Sequence, residues 1–277
     1  LAAEALFGAQ FIQGRLPVSV SKKFEEGSGL DIEVPQEFGY ATPAEVGFDP
    51  QKLEAVDRLA LQAIDSMMTP GMQILAARYG KIFYQKNFGF HTYKKKEKVK
   101  TTALYDLASL TKILATIPLL IQSVSRGELD LNTTVGALLP EWKDSNKATF
   151  TLKEMLAHYA RLKPWIPFYK ETVTKKGFPK KSFYAQKPSS KFSLAVAKNL
   201  FLKSDYESML YERIKNSELE DSLQYKYSDF PYYILKKYFE KTTGQSYDQL
   251  VTKRIIEPLG LKRLTYNPLE KFEASEI

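Results

Sequence analysis

An apolar run from Ile113 to Ile121, broken only by Thr116 and Pro118, follows directly on Ser109-Leu110-Thr111-Lys112. The run predicts a helix over 109–126, ended by Gly127, and so apolar that it belongs in a domain interior. Residues three apart share a helix face with Cβ atoms roughly 5–6 Å apart, so the Ser109 hydroxyl and the Lys112 amine face the same way. Lys112 sits at the mouth of a buried helix, where desolvation lowers a lysine pKa, and an amine kept neutral can take the serine proton. That is the layout of a serine acyl-transfer enzyme that needs no histidine. Spacing alone fits equally a helix-end serine beside a snorkelling lysine. Ser19-Val20-Ser21-Lys22 has the same spacing, but in an alternating, strand-like run after Pro17 that turns the two side chains to opposite faces.

Other chemistries have less to stand on. The chain has 277 residues and no cysteine, which removes disulfides, thiolate metal sites and thiol nucleophiles. Its two histidines, His91 and His158, lie before a lysine run and at the end of a short helix, and both read as structural. No His/Asp/Glu group has metal-ligand spacing, so neither metal nor cofactor is expected. No apolar run approaches the roughly 20 residues of a membrane span, and no signal peptide is visible at Leu1. The formal net charge of +8 comes largely from lysine runs at 94–100 and 170–191, which read as solvated faces. Nucleic acid is not an expected partner, because arginine with interleaved aromatics on a recognisable module is lacking.

The stretch around Ser109 resembles the nucleophile motif of the serine β-lactamase and penicillin-binding-protein superfamily, in its class C and esterase-like branch. Tyr227-Ser228-Asp229 resembles that branch's Tyr-x-Asn element, Thr151 to His158 its helix ending in a His-x-Ser-Gly-Leu turn, and Glu257-Pro-Leu-Gly-Leu261 its Pro-Leu-Gly corner. The resemblance implies an α/β (α+β), β-lactamase/transpeptidase-like fold, with an antiparallel hairpin beside a mostly helical subdomain. It implies Ser109 as nucleophile, Lys112 as its base and Tyr227 as the group that relays the proton to the leaving group and later helps activate water. Asp229 and Trp165 would face the substrate, a small ester or a peptidoglycan-type peptide, in a periplasmic or secreted protein. Three departures stand out. The turn after His158 reads Tyr159-Ala160-Arg161-Leu162, without the family's glycine; Asp229 replaces asparagine; and no Lys-Thr-Gly or His-x-Gly occurs. The chain is therefore expected to stop before the closing strands, and a binding module with degenerate chemistry stays open.

Leu6 to Val18 resembles the C-terminal end of a family 3 glycoside hydrolase, which implies an upstream N-acetylglucosaminidase-like module fused to a β-lactamase-like one. The organisation expected is a glycosidase tail at 1–30, a linker at 31–48 and the hydrolase at 49–277. Within the last, Asp49-Pro50 opens a helix to about Met67, and Met72–Ala77 and Lys81–Gln85 form a hairpin about Tyr79-Gly80. Helices are expected at 205–215, 230–241 and 247–256, with short helices and loops from 129 to 226. Trp165 or Tyr169 would stack on a sugar or wall an acyl pocket, while Phe168 reads as core. Without closing strands, the face of Ile113, Ile117, Leu120 and Ile121 should lose cover and the hairpin should keep an open edge.

Overall fold

The computed structural model describes residues 14–29 and 39–277. It divides into two units, one ending at Ala103 and one running Leu104–Ser275. Residues 6–13 of the glycosidase-like stretch lie outside the described residues. Residues 14–29 hold a single bridge between Ser21 and Phe24 rather than the expected strand. The Val20 and Ser21 N–H groups both donate to Phe24 O, and this tight turn takes up the backbone groups a strand would need.

The first unit contains strand β1 (Gly39–Tyr40), helix α1 (Pro50–Asp65) and strands β2 (Gly71–Arg78) and β3 (Lys81–Gly89), in sheet order β1-β3-β2. Asp49 caps α1 by accepting the Gln51 N–H at 2.9 Å, with Pro50 at the first helical position. Tyr79 and Gly80 make the hairpin turn with φ of 55° and 69°, the paired positive values that a two-residue turn needs to follow the strand twist. Both strands run further than the alternation suggests. Gly71 pairs with Gly89, where a β-carbon would meet Pro70 O at 2.3 Å. Part of the stretch expected as linker packs here: Val46 is buried with Phe83 and Tyr84, and Phe48 stacks on Phe83 at 4.4 Å. The outer edge of β2 has no partner strand among the described residues.

In the second unit the helix after Ser109 is not a single α-helix. Lys112–Thr116 form a π-turn, in which the Ile117 N–H donates to Lys112 O five residues back, and helix α2 (Ile117–Ser125) follows. Pro118 brings no N–H, so a regular ladder cannot run through this point. The helices α3 (Val135–Leu138), α4 (Leu152–Leu156) and α5 (Tyr169–Thr172) come next. Strands β4 (Tyr184–Ala185), β5 (Leu194–Ala197) and β6 (Leu200–Leu202) then form a small antiparallel sheet, in order β4-β6-β5, where only helices and loops were expected. Its strands are two to four residues long, too short for periodicity to register. Helices α6 (Tyr206–Lys215), α7 (Phe230–Thr243) and α8 (Tyr247–Val251) follow, with Gly244 (φ 66°) closing α7 and α8 running on into a second π-turn at Thr252–Ile256.

The core of this unit gathers around α7, where Phe230, Ile234 and Leu235 are inaccessible and meet Leu119, Leu139, Trp142, Leu152, Met155 and Leu250. Each such side chain stabilises the fold by about 1.5–3 kcal/mol. Phe168 is part of this core, as expected. One charged side chain is fully enclosed with them. Lys147 donates to Asn146 Oδ1 (2.8 Å), Lys215 O (3.0 Å) and Ser217 O (2.6 Å), closing the C-terminus of α6. Burial lowers its pKa to about 8.

An amine depressed in the folded state binds fewer protons there than in the unfolded chain, so stability rises with pH from about 8 toward the ordinary lysine value of about 10.4. Denaturant titrations across that window should show this rise in the parent and not in Lys147→Met. Lys147→Ala, which leaves the Lys215 carbonyl without this donor and Ser217 O with only the longer bond from Asn146 Nδ2 (3.2 Å), should cost about 2–4 kcal/mol.

Only one side of the nucleophile helix is covered. Ala115, Leu119 and Leu120 are buried, whereas Ile113 and Ile121 are 55% and 60% exposed. The expected loss of cover thus falls on Ile113 and Ile121, while Leu120, expected to share it, is buried against the core. Such a stripe should bind an environment-sensitive dye such as anilinonaphthalene sulfonate. Ile113→Ser with Ile121→Ser should abolish most of that fluorescence and shift stability by less than about 0.5 kcal/mol.

Candidate active site

Three chain segments of the second unit deliver the site. The first is the turn before the π-turn. The Asp106 carboxylate accepts the Ala108 N–H at 2.8 Å and Ala108 is held at φ 43°, a left-handed geometry that costs a non-glycine residue of order 1 kcal/mol and is commonly found at functional sites. Ser109 follows, exposed, and its backbone N–H has no acceptor among the described residues. The second segment is Tyr227-Ser228-Asp229, immediately before α7. The third is the turn 158–164, to which the second is tied. Lys226 N–H donates to His158 O (2.9 Å), Ser228 N–H to His158 Nδ1 (3.2 Å), Ser228 Oγ to Lys163 O (2.7 Å) and Asp229 N–H to Pro164 O (2.9 Å).

Lys112 is the hub. Its Nζ donates to Ser109 Oγ at 2.9 Å, pairs with Asp229 Oδ1 at 2.7 Å and lies beside Tyr227. The ammonium also lies 5.0 Å from the Tyr227 ring centroid and 5.3 Å from that of Tyr232, within cation–π range. Burial pulls the lysine pKa down, but the hydrogen bonds to Asp229 and Tyr227 and the Asp229 charge outweigh it, and the net shift is upward. The expectation of a neutral Lys112 is therefore corrected. Desolvation acts in the expected direction, but Asp229, where asparagine is usual, supplies a counter-charge at contact distance.

Tyr227 moves the other way. Hydrogen bonds with Lys112 and then Ser109, together with the Lys112 charge, hold its hydroxyl below the ordinary phenol value against burial and the opposing Asp229 charge. His158, packed on Tyr227 with ring centroids 4.6 Å apart, is kept below the usual imidazole value by burial and by the Lys112 charge. The Ser228 N–H on Nδ1 leaves its proton on Nε2.

The chain belongs to the beta-lactamase family. The family's model, described as Beta-lactamase, matches residues 56–275. Proteins named "Putative D-alanyl-D-alanine carboxypeptidase" from Salmonella agona and Salmonella enteritidis are 32% identical over 249 and 248 residues, covering 83% of this chain and 51% of theirs. This chain spans about half the length of those curated relatives. Two solved structures, each 19% identical, share the fold. A class C beta-lactamase from Rhodobacter sphaeroides matches with TM-score 0.53, over 76% of this chain and 50% of its own. The octameric penicillin-binding protein homologue from Pyrococcus abyssi matches with TM-score 0.58, over 82% and 47%. The α/β fold of the β-lactamase and transpeptidase superfamily, with small antiparallel sheets and a helical part, is thereby established. The glycoside hydrolase likeness of Leu6–Val18 has no counterpart in these matches.

Of the residues singled out in this beta-lactamase-family chain, Ser109, Lys112, Tyr227 and Asp229 converge. Asp229 meets Lys112 directly, where a substrate contact was expected. Trp165 follows Pro164, whose carbonyl holds the Asp229 N–H, and its side chain is 54% exposed. Tyr232 and Arg161 escaped sequence reasoning. Tyr232 is one helical turn past the Tyr227 motif, a spacing visible once α7 is placed at Phe230. Arg161 stands at the missing glycine with φ 52°, and its guanidinium donates to Glu220 O (2.6 Å) and Asp221 O (3.3 Å), fastening the segment that leads to Tyr227.

Asp229→Asn removes the charge that raises both Lys112 and Tyr227. Both groups should then deprotonate at lower pH, and the acid limb of any pH profile for Ser109 reactivity should move toward acid. Labelling rates with a phosphonate across pH check this; an alkaline displacement would contradict the assigned electrostatics.

Proposed function

We propose that this chain carries the nucleophile and proton-transfer half of a serine hydrolase acting through an acyl-enzyme on an ester or a peptidoglycan-type peptide. The observation that carries the reading is the contact of one ammonium with a serine hydroxyl, a tyrosine of lowered pKa and a carboxylate. Ser109 attacks the carbonyl as its proton passes to the phenolate form of Tyr227, whose own proton has first gone to solvent and whose ionisation its neighbours favour. Lys112 stays charged and steadies the phenolate, so the base role expected of the lysine moves to the tyrosine. Tyr227 then returns the proton to the leaving group and draws one from the water that releases the acyl group. The free Ser109 N–H, at the start of the helical turn, suits one oxyanion contact. By resemblance a second donor comes from the Lys-Thr-Gly or His-x-Gly strand, a motif not among these residues.

The carboxypeptidase names of the relatives favour a D-alanyl peptide over a simple ester, and a peptidoglycan substrate favours a periplasmic or secreted setting. The hydrolase is assigned to 49–277, with Asp229 and the exposed Trp165 beside the acyl group. An upstream glycosidase module rests on the likeness of Leu6–Val18 alone and contributes nothing to this reaction.

A fluorescent phosphonate or penicillin probe tests the proposal. Labelling should vanish in Ser109→Ala and fall about 10²–10⁴-fold in Tyr227→Phe, the usual worth of a general base. Equal labelling of Ser109→Ala and parent would remove the nucleophile assignment.

A further inference from the structure

The charge of this chain is not evenly distributed. The stretch 170–203 holds nine lysines, no arginine and one acid, Glu171, and so carries the entire net +8, leaving 31 basic against 31 acidic residues elsewhere. Glu171 is already paired with Arg213 at 2.7 Å, and none of the nine lysines has a carboxylate partner among the described residues. Within this stretch, Lys175-Lys176-Gly177-Phe178-Pro179-Lys180-Lys181 folds into a tight turn. Gly177 N–H donates to Thr174 O (2.9 Å), Thr174 N–H to Phe178 O (2.8 Å) and Phe178 N–H to Thr174 Oγ1 (3.1 Å), with Gly177 at φ 82°.

The turn presents Phe178 66% exposed, with no ring or cation packed on it among the described residues. The neighbouring Phe183 and Phe192 differ, because Lys203 and Lys191 lie over their faces at 5.6 and 5.7 Å. A bare ring on a braced turn, flanked by two lysines on each side, matches a water–hydrocarbon boundary. The ring can enter the acyl layer while the amines reach phosphates. Nucleic acid fits less well, since Phe183 and Phe192 have lysines over their faces, leaving Phe178 as a lone stacking ring, and phosphate grooves favour the guanidinium fork.

We propose that the 170–203 segment is a docking surface for an anionic lipid bilayer, with Phe178 as the inserted residue. Its attraction is electrostatic, worth roughly fivefold in partitioning per lysine near the headgroups, and decays with salt. The inference is independent of the hydrolase reading.

Sedimentation of the 277-residue chain with phosphatidylcholine vesicles, with and without about one third phosphatidylglycerol, tests it. Binding should require the anionic lipid, collapse in high salt and weaken roughly 25-fold or more in Lys175→Glu with Lys176→Glu. Lys94→Glu with Lys96→Glu, an equal charge change elsewhere, should bind like the parent. In the Phe178→Trp variant the indole emission should shift to the blue on anionic vesicles, and circular dichroism should show all variants folded. No binding to anionic vesicles, equal losses in the two double variants, or an emission spectrum of Phe178→Trp that the vesicles leave unshifted would each overturn the proposal. So would tighter binding to a DNA duplex that ignores Phe178→Ser.

Discussion

The contact between Lys112 and Asp229 is the constraint on which the second unit's chemistry depends. It joins the residue that follows the nucleophile turn to the residue that opens α7, so two elements distant in sequence are referenced to one ammonium. Asp229 does not cap its own helix through its side chain, as its position would allow; the carboxylate is committed to the lysine. At a helix N-terminus the dipole favours that negative charge in any case. The result is a locally neutral pair against which the ionisation of Tyr227 is set. Had asparagine stood at 229, the lysine would have been easier to neutralise, and the division of labour between amine and phenol would be different.

The segments supporting this pair behave as a zipper. Residues 158–164 and 220–229 exchange backbone and side-chain hydrogen bonds along their length, and Arg161 adds two charge-assisted bonds where the family has glycine. A non-glycine residue at φ 52° is strained, yet hydrogen bonds from a guanidinium to carbonyls are among the stronger kinds in proteins. Strain and fastening come from the same side chain. The turn thus keeps its shape by a different means from the glycine it lacks, and His158, its Nδ1 occupied by the Ser228 N–H, packs against the Tyr227 ring.

Much of the architecture is legible in local signals. Asp49-Pro50, Tyr79-Gly80 and Gly244 each mark an end that the structure respects, because a cap or turn is fixed by a few neighbouring atoms. The pairing of Ser109 with Lys112 and of both with Tyr227 is likewise readable, by spacing and by resemblance. What eludes the sequence depends on distant partners. The sign of the Lys112 shift requires knowing that Asp229 is at contact distance, since burial alone argues the opposite way. The β4-β6-β5 sheet is built of strands too short for period two to emerge. Lys147 reads as an ordinary surface lysine until the end of α6 is found to close over it.

The π-turn at Lys112–Thr116 has a geometric consequence. A π-turn amounts to one extra residue threaded into an α-helix, and one residue is a rotation of about 100° around the axis. Everything before it is therefore turned by that angle relative to the face on which Leu119 and Leu120 bury. The direction of the Ser109 hydroxyl is set by this phase offset as much as by its own neighbours. A helix relaxed into unbroken α geometry would keep every residue and its hydrophobic anchor, yet would aim the serine away from the tyrosine. The nucleophile's orientation is in this sense a property of register, secured by a proline nine residues downstream of it.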